Sequence, residues 1–150
     1  MTRVDPDKLP RKYRLQASES RDRAGPGGRA RLVIPGQLPA LNEILDACKK
    51  HWSCYSSLKK EYSEIVRDMA VINKIPFFPE AEMEITYYCP DKRKDPDNIS
   101  AGGKKFILDG LVSAGVLEDD SWKCIKGFKE SWKVDRENSR VEITLIDVSK

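Results

Sequence analysis

The sequence predicts one α/β (α+β) domain: a compact mixed sheet of about four strands carrying two main helices. Three observations predict it. Residues 80–89 alternate polar and apolar without a break, the pattern of a half-buried strand. Residues 41–74 and 104–115 repeat apolar positions at intervals of three and four, the pattern of a helix that buries one side. These patterns come in the order strand, helix, strand, helix, strand, strand, which two packed layers accommodate. A length of 150 residues is enough for one core.

Residues 1–30 read as a flexible basic arm. Asp5-Pro6-Asp7, Leu9-Pro10 and Gly25-Pro26-Gly27-Gly28 interrupt any periodicity, and so little apolar surface cannot offset the entropy of ordering. The folded domain is expected over residues 31–150. Its first strand runs from Arg31 to Leu38, with Leu32 and Ile34 on one face, and Pro35, Gly36 and Pro39 end it. The helical pattern from Leu41 to Lys74 has Asn42 as its expected N-cap and a possible break near Trp52–Ser57. Ala81, Met83, Ile85, Tyr87 and Cys89 form the buried face of the clearest strand. A second helix is expected after Ile99–Gly103, reaching about Gly115 with Leu108, Leu111 and Val112 against the sheet. Trp122–Val134 and Val141–Val148 read as two strands of a hairpin around a turn at 135–139.

Composition narrows the class. Hydrophobic residues at 39% and charged residues at 34% describe a soluble globular chain. No apolar run is long enough to span a membrane and no signal peptide opens the chain, so a cytoplasmic protein is expected. Cys48, Cys54, Cys89 and Cys124 contain no C-x-x-C pair, and reduced thiols are expected. Residues 1–31 carry nine Lys/Arg against four Asp/Glu, so the net charge of +3 leaves the remainder slightly acidic. Nucleic-acid binding would therefore rest on local patches. Cys48, His51 and Cys54 follow one another at steps of three, but match no zinc spacing and have no evident fourth ligand.

The chemistry concentrates between Asp91 and Trp122. Pro96 biases Asp95 toward extended backbone, and in an extended chain Asp97 shares its face. Two like-facing carboxylates call for a cation between them, and a hard divalent ion such as Mg²⁺ prefers such oxygens. Lys92, Arg93 and Lys94 lead into the pair, which suits a phosphate-rich substrate. Glu118-Asp119-Asp120 is a short acidic turn that offers Asp120 as a third carboxylate. Lys123, Lys129 and Lys133, with Lys126 nearby, form a row that could track a phosphate backbone or be a solvated edge. Gly102-Gly103-Lys104-Lys105 is not a phosphate-binding loop, because Asn98 stands where glycine is required and Lys105 where serine or threonine is required.

Three pieces of this region agree with one known pattern. Lys94-Asp95-Pro96-Asp97-Asn98-Ile99, Lys105-Phe-Ile-Leu-Asp109-Gly-Leu111 and Ala114-Gly115-Val116-Leu117-Glu118-Asp119-Asp120 together resemble the RusA family of Holliday junction resolvases, encoded mainly by phages and prophages. Leu38-Pro39-Ala40-Leu41-Asn42 is similar to the family's first-strand exit, and the resemblance covers roughly residues 31–148. One departure stands out. Several members carry the lysine four residues after the second aspartate, where this chain has Ala101. The four extra residues around Ser100–Gly103 either extend the helix or bulge from it, and Lys104 is the lesser candidate beside Lys105.

The resemblance implies a homodimer that cuts opposed strands of a four-way DNA junction in recombination and repair, in a bacterial or phage-infected cytoplasm. It implies Mg²⁺, with Mn²⁺ as a substitute, held by Asp95, Asp97 and Asp120, and Lys105 supplying a cation to the phosphate. It implies no small-molecule cofactor and no membrane partner. Asp109 and Asp119 are matched positions of open role, and Asn98 fixes the turn. Phosphate contacts are expected from Lys92, Arg93, Lys94, Lys104, Lys123, Lys126, Lys129 and Lys133. Three alternatives stay open: a DNA-binding protein of the same fold without catalysis, a flap or fork nuclease, and a glycosyltransferase using its Asp-x-Asp.

Overall fold

A computed structural model describes residues 24–150. The chain forms β1 (Arg29–Pro35), α1 (Leu41–Lys50), α2 (Trp52–Ile72), β2 (Ala81–Cys89), α3 (Pro96–Ser113), β3 (Ile125–Val134) and β4 (Arg140–Asp147). Four strands make one mixed sheet in the order β1-β4-β2-β3. β4 is antiparallel to both β1 and β2, whereas β3 runs parallel to β2. The expected α+β class and four-strand sheet are what is found, with three helices in place of two main ones. His51 makes the extra division. Its extended backbone (φ −171°, ψ 147°) interrupts the helical run, and its ring Nδ1 accepts the Ser53 N–H at 3.1 Å to cap α2.

The core lies between one sheet face and the helices. Ala81, Met83, Ile85 and Tyr87 of β2 and Val141, Ile143 and Leu145 of β4 point into it. Phe106, Ile107 and Leu111 of α3, and Val66 and Met69 of α2, meet them. Residues 1–23 of the expected arm lie outside the described residues. Residues 24–30 are seated on the domain: Ala24 is buried and donates its N–H to Phe77 O at 2.9 Å, and Gly27 N–H reaches Asp147 O at 2.8 Å.

The expected hairpin does not form. β3 and β4 are separated by β2, and the 135–139 connection steps over the end of β2, where Asp135 N–H bonds Cys89 O at 2.8 Å. Burial is consistent with the order. Val141, Ile143 and Leu145 are at most 3% exposed, whereas most β3 positions are exposed and carry charges suited to an edge. Strands lie roughly 4.8 Å apart, so the connection easily spans the two spacings required.

α3 begins earlier than its apolar periodicity. Asp95 is extended (φ −71°, ψ 146°), as a residue before proline should be, and Pro96 takes the first helical position, for which its fixed φ is suited. The helix then runs unbroken through Gly102 and Gly103. These glycines are contact surfaces. A Cβ at Gly102 would lie 2.2 Å from Pro39 O, and one at Gly110 would lie 2.5 Å from Val66 Cβ. α1 is also capped differently from expectation: Ala40, not Asn42, is its N-cap, and Glu43 Oε2 accepts the Ala40 N–H at 2.9 Å. Asn42 sits within the first turn and gives its N–H to Asn98 Oδ1 at 3.3 Å, which ties the start of α1 to the start of α3.

Gly102→Ala and Gly110→Ala should each destabilise the fold by about 1–3 kcal/mol, because overpacking outweighs the roughly 1 kcal/mol that alanine gains in helix propensity. Gly127→Ala is the control, since its nearest neighbour would be Glu82 Cγ at 3.7 Å. Urea unfolding midpoints check the three variants; loss of stability in Gly127→Ala alone would contradict this packing.

Candidate metal and nucleic-acid site

Asp95 is the N-cap of α3 and Asp97 lies in its first turn, beside the ends of β2 and β3. The expectation that both carboxylates share a face rested on extended backbone, which Asp95 keeps as the N-cap whereas Asp97 is already helical. Asp95 lines a cleft of about 650 Å³ together with Lys92, Lys94, Trp132, Lys133 and Val134, whereas Asp97 lies outside that lining. Asp97 Oδ1 accepts the Asn98 N–H at 2.9 Å, and the Asp95 side chain takes no N–H of the helix end. Both acids stand at the N-terminal, positive end of the α3 dipole.

Magnesium is commonly held by one or two carboxylates plus substrate phosphates and water. Asp95, in the cleft lining, and Asp97, two residues on, are the carboxylates at hand for that lower requirement. They do not grow into a three-carboxylate centre within one chain: among the described residues no group of three or more His, Cys, Asp or Glu side chains could hold a metal ion. Asp120 lies beyond the other end of α3. Leu117 N–H bonds Leu111 O at 3.4 Å and Cys124 O accepts from Ala81 N at 2.8 Å, so the 118–123 turn is pinned where β2 and β3 begin. An 18-residue helix separates the two places, about 27 Å at 1.5 Å per residue.

The acidic turn is organised by its own bonds. Asp119 Oδ1 accepts the Ser121 N–H at 2.9 Å and the Ser121 hydroxyl. These bonds hold the Asp119 carboxyl below the usual carboxylate range, the hydroxyl contributing most. Lys123 Nζ donates to Glu118 Oε2 at 2.9 Å, which raises the lysine above its ordinary value. Trp122, expected as the first residue of the strand, precedes β3 and is 94% exposed.

The unbroken helix also resolves the position of Lys105. It stands eight residues beyond Asp97, roughly 12 Å along the axis. Its ammonium is 4.0 Å from Asp109 Oδ2, and Lys59 of α2 is 3.8 Å from the same oxygen. Asp109 thus serves the α2–α3 contact. Lys104 turns toward the sheet edge, donating to Glu130 Oε1 at 2.7 Å with its ammonium 4.6 Å from the Phe128 ring centroid.

The expected phosphate-binding residues fall into separate groups. Lys92, Lys94 and Lys133 line the cleft, and Arg93 lines a smaller hollow beside it. Lys94 donates to Glu43 Oε1 at 2.7 Å, and Arg93 is 3.6 Å from Asp91. Lys123 and Lys126 lie at the opposite end; Lys126 donates to Trp122 O at 2.9 Å. Lys129 pairs in register with Glu84 on the sheet face opposite the core. Sequence reasoning missed the partners Glu43 and Glu130, which come from elements distant in the chain. It also missed Trp132 as a cleft residue, a role visible only once β3 is known to be the edge.

Compared with known proteins, the sequence matches no family model and no curated protein.

In wild-type protein the Asp119 carboxyl should titrate below about 3.9, the ordinary aspartate value, and Ser121→Ala should raise it toward that value, as read by side-chain carboxyl NMR. Because the folded value is depressed, Asp119 stabilises the fold above the unfolded value, and that contribution is lost as pH falls through the folded one. An unchanged titration in Ser121→Ala would contradict the assigned cause.

Proposed function

We propose that the chain is a Mg²⁺-dependent endodeoxyribonuclease that acts as a homodimer on four-way DNA junctions. The observation that carries this reading is the placement of Asp95 and Asp97 at the N-terminus of α3, beside a cleft whose walls include Lys92, Lys94 and Lys133. The resemblance of the three aspartate- and lysine-bearing motifs to the junction resolvases supports the same substrate and reaction.

Hydrolysis adds water across one P–O bond of the DNA backbone. The metal, when bound, supplies an activated water and charge neutralisation at the scissile phosphate. Asp95 at the N-cap and Asp97 in the first turn of α3 would hold it, at the positive end of the helix dipole. Lys92, Lys94 and Lys133 would seat the flanking phosphates. Lys94 is tied to Glu43 by an exposed ion pair, and such pairs contribute at most about 1 kcal/mol, so a phosphate can displace the glutamate. Lys104 is better directed toward the β3 side of this surface than Lys105, which belongs to the α2 side.

A dimer gives Asp120 a way back into the site. Two-fold symmetry can set the end of one α3 carrying Asp97 beside the opposite end of the partner's α3, and it generates the two equivalent sites that paired cuts require. A second reading has its own support. Among the described residues no three carboxylates gather within one chain, which suits a protein that binds branched DNA without cutting it.

In Mg²⁺, wild-type protein should place paired, symmetric nicks in a synthetic mobile four-way junction, mapped on a denaturing gel. Asp97→Asn should lower the nicking rate at least about 100-fold while still binding the junction, since even outer partners of metal ligands are worth 10–100-fold. Binding without nicks in any divalent metal would favour the second reading, and full activity of Asp97→Asn would overturn the carboxylate assignment.

A further inference from the structure

The cleft beside Asp95 is more than a charged surface. Its wall includes Trp132, 40% exposed on the edge strand β3, with Val134 next to it. The Trp132 ring lies nearly parallel to that of Tyr87, with an interplanar angle of 12° and centroids 6.3 Å apart. Tyr87 is itself fixed, 2% exposed and pressed against α3, where Gly103 leaves room for its ring. Trp132 is therefore held against a rigid neighbour while much of its surface remains open to the cleft. A volume of about 650 Å³ accommodates a group the size of a nucleotide. Lys92 and Lys133 bring positive charge to the same walls, and Asp95 lines the cleft with them.

Aromatic surfaces flanked by lysines accept unstacked nucleobases whose phosphates meet the cations. Ordered duplex keeps its bases stacked and presents none. A base at the crossover of a branched DNA is already poorly stacked, so the cost of turning it out is smallest there. We propose that Trp132 is a stacking platform for one unstacked nucleobase adjacent to the scissile phosphate, and that it makes the chain prefer branched over fully paired DNA. The preference for branched DNA rests on the nuclease reading above; the base-binding site itself does not.

The test uses the full chain with Trp132→Leu, which keeps an apolar side chain without a stacking face, and Trp132→Phe, which keeps the face. Anisotropy with Ca²⁺ in place of Mg²⁺ measures affinity for a four-way junction, for a paired duplex of equal length and for a short oligothymidylate. Sedimentation monitors oligomeric state. Trp132→Leu should bind the junction and the oligothymidylate roughly 5- to 150-fold more weakly, the fold-change that stacking one base is worth, while Trp132→Phe stays within a few-fold of wild type. Duplex affinity should not change in either variant. Loss of junction nicking by wild-type protein, with oligothymidylate binding still dependent on an aromatic at 132, would remove the nuclease reading and leave the base site. Junction and oligothymidylate affinities unchanged in Trp132→Leu, or lost equally for duplex, would overturn the stacking role. Conversion of Trp132→Leu to a different oligomeric state would instead assign the residue to contact between copies and overturn the proposal as well.

Discussion

The close seating of α3 constrains the rest of this molecule. Gly102 lets the helix backbone approach Pro39 and Ala40, Gly103 admits the Tyr87 ring, and Gly110 admits Val66. No side chain larger than hydrogen fits at Gly102 or Gly110 without moving backbone or a buried valine. The helix therefore lies directly across the sheet, with its N-terminus beside the ends of β2 and β3 and its C-terminus beside their beginnings. That placement opens the cleft at one end and fixes the acidic turn at the other. The distance between Asp97 and Asp120 is thus a consequence of packing, and loop adjustment cannot remove it.

Electrostatics add a second constraint. Many of the cations that could meet DNA already have carboxylate partners: Lys94 with Glu43, Lys104 with Glu130, Lys123 with Glu118, and Arg140 with Asp135 and Glu142. Two of these, Lys94 with Glu43 and Lys123 with Glu118, are exposed pairs, cheap to exchange for phosphate. The described surface therefore interleaves its cations with carboxylates, which agrees with the slightly acidic balance of residues beyond the basic N-terminal segment. Under the proposed function, affinity for DNA built this way would fall with salt and depend on the few contacts that discriminate shape.

Much of the fold was legible in the sequence because burial and periodicity coincide. The strict alternation of 81–89 and the i, i+3, i+4 spacing of Ile65, Val66 and Met69 are direct imprints of the core. Strand order was not legible. β3 and β4 are adjacent in sequence and joined by turn residues, so the hairpin was the local expectation; the pairing of β4 with both β1 and β2 sets it inside the sheet. The start of α3 was hidden for another reason. Pro96 reads equally as a break or as a first helical residue, and Ile99–Gly103 has the composition of a loop although its glycines serve tertiary contact. The candidate site was legible as a set of residue types but not as an assembly. Asp95, Asp97 and the neighbouring lysines do lie together, whereas the grouping with Asp120 and Lys105 followed from motif order, which carries no distance.

The separation of Asp97 from Asp120 makes the central claim open to one direct measurement. Asp97→Asn and Asp120→Asn proteins, each inactive alone, would be mixed under subunit exchange and assayed on the four-way junction in Mg²⁺. A site shared between protomers leaves one intact site in each mixed dimer, so nicking should return on a single strand without its symmetric partner. Wild-type protein that nicks the junction while the mixture does not would show that the acids act within one chain, contrary to the separation that α3 imposes.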